Sequence, residues 1–112
     1  MSHPVVHFEI VSKNAGPVQA FYQNLFGWKI DSDNPMNYGM VDTGGQGING
    51  GIGQGEQQLT FYIQADDLQA VLDKANKLGG KTVMPVTEIP GAVTMALFAD
   101  PDGNTVGLVK SM

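Results

Sequence analysis

Apolar and polar residues alternate over residues 5–11, in a stretch rich in β-branched side chains, and this predicts a strand. The period then lengthens. Val18, Phe21, Tyr22, Leu25 and Phe26 recur at helical spacing behind Gly16 and Pro17, and proline suits a helix's first turn. Gly27 is placed to end that helix in a left-handed cap. Short strands are predicted over residues 28–31, 38–43 and 48–52. The turn residues Asp33, Asn34 and Pro35 separate the first two, and Gly44 and Gly45 the next.

After a polar connection at residues 54–58 the plan repeats. Residues 59–65 read as a strand. Asp66 or Asp67 caps a helix running to about Leu78, with Leu68, Val71, Leu72, Ala75 and Leu78 on one face. Gly79 and Gly80 stop it. A strand over residues 81–84 is followed by an irregular or edge segment at 85–90, a long strand at 93–99, a turn at 100–103 and a last strand at 105–110. A shift of 53 residues superposes Phe8 on Phe61, Ile10 on Ile63, Val18 on Val71, Leu25 on Leu78, Gly27 on Gly80 and Ile30 on Val83. The fold class expected is α+β, one domain over residues 1–112 built from two βαβββ modules, about 1–54 and 55–112.

Strand alternation then assigns faces. Phe8 and Ile10 turn to the helix side, which sends His7 and Glu9 to the other. By the same rule Phe61 and Ile63 are core, and Thr60, Tyr62 and Gln64 face away. Val106 and Leu108 are core, opposite Thr105, Gly107 and Val109. The second face is mixed in polarity, which fits a ligand-binding concavity, a dimer interface or solvent.

Composition narrows the chemistry. The chain has 112 residues, six basic against eleven acidic, for a net charge of −5, and every basic residue is Lys. No basic face is available for nucleic acid, and no Arg for bidentate capture of phosphate or carboxylate. The absence of Cys excludes disulfides, thiolate nucleophiles and zinc–thiolate sites. The first residues lack the basic and apolar regions of a signal peptide, and no apolar run is long enough to span a membrane, so the expected location is cytoplasmic. The glycines of residues 44–55 lie across a turn and strand with no helix following. They predict a tight hairpin with close backbone approach rather than a phosphate loop.

Four segments in order, VVHFEI, FYQNLFGWKI, DDLQAVLDKANKLGGKTV and ALFADPDGNTVGLV, resemble the vicinal oxygen chelate superfamily of glyoxalase, bleomycin-resistance and extradiol-dioxygenase proteins. The resemblance implies paired βαβββ modules curling into a cupped mixed sheet with helices on the outer face, usually dimeric, so a homodimer is expected. In metal enzymes of that group four strand side chains bind one divalent ion. The first position, 20 residues before the helix-ending glycine, is His7, and its counterpart in the second module is Thr60. The ending Asp100-Pro101-Asp102-Gly103-Asn104-Thr105-Val106-Gly107-Leu108 places Gly107 where a Glu is usual, and the remaining position falls near Gly51. One ligand of four survives, so no cofactor or metal is expected.

Two functions follow. In the first, the cup binds a small, partly apolar molecule without reacting with it. Trp28, Tyr38, Met40, Thr60, Tyr62, Gln64, Met95 and Gly107 are the candidate ligand-binding residues, and residues 36–38 a mobile rim. In the second, His7 and Glu9, about 7 Å apart on one strand face, act as acid and base in a cofactor-free lyase, isomerase or hydroxylase. Each of these residues also has a plainer reading, in a core, an interface or a solvated pair. No nucleophile elbow or dinucleotide fingerprint accompanies them.

Overall fold

Local chemistry at the chain's turning points sets the elements, seen in a computed structural model that describes residues 3–110. Two compact units divide the chain, Val6–Thr60 and Phe61 onward together with the N-terminal residues up to Val5. The architecture is α+β, with strands and one helix in each unit.

In the first module β1 (Val5–Ser12) leads to helix α1 (Ala15–Phe26), then β2 (Lys29–Asp31), β3 (Gly39–Asp42) and β4 (Gly50–Gln54). Their order is β2-β3-β4-β1, with β1 parallel to β4 and the other pairs antiparallel. Asn14 makes no side-chain cap for α1. Instead Gln54 Oε1 accepts from the Ala15 N–H, while its Nε2 donates to the Lys13 carbonyl. Gly27 ends the helix at φ 73°, the left-handed geometry that costs a residue with a Cβ about 1–2 kcal/mol. Ile52, Val41 and Ala15 are buried, and Tyr22, Phe26 and Phe8 gather around Trp28 at ring separations of 5.2–5.8 Å. Phe21, Leu25 and Phe26 remain 56–60% exposed. The helical stripe read from the sequence is thus wider than the surface this module provides to cover it.

The second module repeats the order: β5 (Gln58–Ala65), α2 (Leu68–Lys77), β6 (Lys81–Glu88), β7 (Thr94–Ala99) and β8 (Thr105–Lys110). The sheet runs β5-β8-β7-β6, with β5 parallel to β8. Asp67 is the helix cap, its Oδ1 accepting from the Ala70 N–H at 3.0 Å. Ala65, Leu68, Leu72, Ala96 and Leu108 form the core, with Ile63, Val71 and Phe98 against it. One expectation is corrected here. Phe61 has the core parity but is 42% exposed; it lies outside the cluster around Leu68 and Leu72 of α2, against which Ile63 packs. Of the two readings of the segment from Pro85, irregular or edge, the structure has the edge, with β6 continuing to Glu88. That strand lies at the sheet edge with register shifts between Thr82 and Met84 and between Met84 and Thr87, which accommodates a residue lacking an N–H. In the β7–β8 turn, hydrogen bonds from the Asn104 side chain and from backbone N–H groups hold the Asp100 carboxyl below its ordinary pKa.

Candidate functional site

Alternation along β1 puts His7 and Glu9 on one face of the first module's sheet, away from Phe8 and Ile10. Glu9 stands opposite Gly51 on β4, and Gly51 opposite Met40 on β3. The segment between β2 and β3 delivers a third group. Asp31 Oδ1 accepts from the Asp33 N–H, and the Asn34 side chain clamps the backbone of Tyr38 on both sides. It accepts from the Tyr38 N–H at 2.9 Å and donates to the Tyr38 carbonyl at 2.7 Å. Asn37, at φ 53°, makes the left-handed step that Asn tolerates, and Gln19 from α1 donates to its carbonyl and to that of Ile52. Tyr38 is therefore fixed at its backbone; Met36 beside it is 72% exposed.

The fixed ring lies across two glycines. A Cβ at Gly51 would fall 1.9–2.1 Å from the phenol end of Tyr38, and one at Gly53 about 3.0–3.1 Å from its ring. Only glycine at 51 leaves room for it. The hydroxyl donates to Glu9 Oε2 at 2.8 Å and lies 3.0 Å from His7 Nε2. A phenol has one hydrogen, and here it goes to the carboxylate, so Nε2–H of His7 is the donor in the second bond. Burial holds the His7 imidazole below its ordinary pKa, against the Glu9 charge that pulls it upward. A neutral imidazole carrying its proton on Nε2 satisfies both observations.

His7 also lines an open depression of about 470 Å³, together with Lys29, Ile30, Asp31, Met40, Val41 and Asp42. Lys29 and Asp42 are cross-strand partners in it. Asp31 and Asp42 each also cap a turn, at Asp33 and Gly44.

In the second module Tyr62, Gln64, Gly107 and Met95 share a face by their register. Tyr62 is buried, and a Cβ at Gly107 would lie 2.3–2.4 Å from its ring. Thr60 is buried as well. The Gln64 backbone binds the N-terminal segment: its N–H donates to the Pro4 carbonyl, and its carbonyl lies 3.3 Å from His3 Nδ1. Of the candidate residues of the first module, His7, Glu9, Tyr38 and Met40 come together. Trp28 does not join them; its ring packs with Tyr22, Phe26 and Phe8 on the helix side.

Residues 7–109 match the model of the family described as "Glyoxalase-like domain". The chain belongs to that family. Solved structures agree on the fold alone. A glyoxalase/bleomycin resistance protein/dioxygenase superfamily member from Vibrio splendidus superposes with a TM-score of 0.69 at 14% identity, over 98% of this chain and all of that one. Methylmalonyl-CoA epimerase from Mycobacterium tuberculosis gives 0.70 at 11% identity, over 96% of this chain and 87% of that one. In sequence the glyoxalase-like domain is 32% identical, over 89% of its length, to a protein named "Putative glyoxylase CFP32" in Mycobacterium tuberculosis and Mycobacterium bovis. It spans 42% of that protein.

The residues present can be tested against the divalent ion of the superfamily's metal enzymes. The four positions hold His7, Gly51, Thr60 and Gly107, and the Nε2 of the one imidazole is engaged by Tyr38. Among the described residues no three His, Asp or Glu side chains form a metal-holding group. This donor set does not fit an ion that takes several N, O or S ligands from the protein. Among the described residues, too, no helix is long and apolar enough to cross a membrane.

Proposed function

We propose that this glyoxalase-like domain is a metal-independent binding protein for a small, partly apolar molecule, held in the depression beside His7. The observation that carries the reading is the Tyr38 ring laid over Gly51 and bonded to His7 and Glu9. It leaves the first module with a depression instead of a ligand set. The size of the depression falls in the range of small-molecule sites, with Ile30, Met40 and Val41 as apolar wall and Lys29, Asp31 and Asp42 as polar contacts. The glyoxylase name of the mycobacterial relatives belongs to proteins of which this chain spans less than half. Thermal-shift and calorimetric titration of small amphiphilic molecules, run in the presence of a chelator, tests the reading. Saturable stabilisation that Met40→Ala weakens supports it. Stabilisation that appears only when a metal is added counts against it.

The His7–Tyr38–Glu9 chain favours a second reading, acid/base catalysis without a metal. A phenol between an imidazole and a carboxylate can pass a proton from one to the other. Turnover of carbonyl compounds that Tyr38→Phe abolishes in a folded protein would select it. Binding of those compounds without turnover would leave the first reading.

A further inference from the structure

We infer that Tyr38 and Gly51 are a matched pair whose effect is to keep divalent cations off the His7 face. This rests on the metal-independent reading above and names the residues responsible for it. Glu9 and Gly51 are register partners on the parallel strands β1 and β4, and His7 is two residues from Glu9 on the same face. A carboxylate at position 51 would complete a His–Glu–Glu cluster, and N and O donors of this kind, three in number, can hold a divalent ion. The Tyr38 ring occupies the space of any side chain at 51. Its hydroxyl occupies the two donors already present, His7 Nε2 and Glu9 Oε2. The ring therefore acts twice, by volume and by hydrogen bonding, and its backbone is locked by Asn34.

An independent observation supports a paired relation over an isolated packing detail. The second module, taken by itself, has Tyr62 against Gly107 with the same steric conflict, at the other position where the superfamily resemblance puts a ligand and this chain has glycine. In both modules a tyrosine ring fills the place left by the missing side chain.

The test compares wild type, Gly51→Glu, Tyr38→Ala and Tyr38→Ala/Gly51→Glu, each with and without His7→Ala. Proteins are incubated with Ni²⁺ or Zn²⁺, dialysed, and measured by elemental mass spectrometry, with folding followed by circular dichroism and melting temperature. The double variant is expected to retain about one ion per chain, to melt higher with metal, and to lose both properties with His7→Ala. Wild type and Gly51→Glu are expected to retain none. A folded double variant without metal overturns the pairing while leaving the metal-independent reading standing. Metal on wild type that His7→Ala removes overturns that reading itself. Should the double variant fail to fold, Gly51→Ala decides. Its fall in melting temperature is expected to shrink several-fold in a Tyr38→Ala background, and an equal fall in both backgrounds overturns the pairing.

Discussion

Removing one oxygen from Tyr38 is the sharpest perturbation of this site. Tyr38→Phe keeps the ring over Gly51 and Gly53 and deletes only the hydroxyl that donates to Glu9 at 2.8 Å and lies 3.0 Å from His7 Nε2. A hydrogen bond to a charged partner contributes about 1.5–3 kcal/mol, and a neutral one about 0.5–1.5 kcal/mol. The three side chains are only half-buried, and water can replace part of what is lost. The expected net cost is therefore about 1.5–3 kcal/mol. Each kcal/mol moves the melting temperature of a domain of this size by about 4–6 °C, which gives a fall of roughly 6–18 °C. Urea denaturation should show the loss in the midpoint with the slope unchanged. A cycle with Glu9→Gln should show a coupling of about 1 kcal/mol. A Tyr38→Phe protein within about 0.5 kcal/mol of wild type would refute the reasoning. So would strict additivity with Glu9→Gln.

Other outcomes follow from the same geometry. Because burial depresses the His7 pKa, the unfolded chain binds more protons than the folded one between the lowered value and the ordinary His range. Stability should therefore decline as pH falls through that window and be recovered above it; denaturation midpoints across pH 5–8 should show a slope that His7→Gln flattens. Leu72→Ala, at a side chain 1% exposed in the second module's core, should cost about 2–5 kcal/mol in urea denaturation. Asp67→Ala removes the α2 cap and should cost about 1 kcal/mol, with Asp67→Asn recovering most of it.

Much of the fold was legible because its signals are local. Gly27 closes α1 in the left-handed region, Asp67 caps α2, and the repeated order of strand, helix and three strands follows from hydrophobic period and turn residues alone. What escaped depends on neighbours. Helical periodicity marks Phe21, Leu25 and Phe26 as a buried stripe, but it carries no information on how much surface the module has to cover them. Pro85 left its segment open between irregular and edge, and register shifts that no local pattern encodes let it continue as an edge strand. Trp28 has the size and polarity of a pocket wall, yet its position after Gly27 turns it back toward Tyr22 and Phe26.

The site shows the same division. His7 and Glu9 are assigned one face by strand period, and the glycines near residue 51 signal a close approach of something to the backbone. That the approaching group is the Tyr38 ring, and that its hydroxyl enters between His7 and Glu9, depends on the path of residues 32–38. Asn34, Asn37 and Gln19 fix that path through contacts that no spacing rule encodes.

The claim that this glyoxalase-like domain works without a metal is tested most directly by the metal content of the wild-type chain. The untagged protein would be incubated with zinc, nickel, iron and manganese, dialysed, and measured by elemental mass spectrometry. The account predicts essentially no ion per chain. About one ion per chain, lost in His7→Ala, would contradict it and make the His7 face a metal centre with an unfamiliar ligand set.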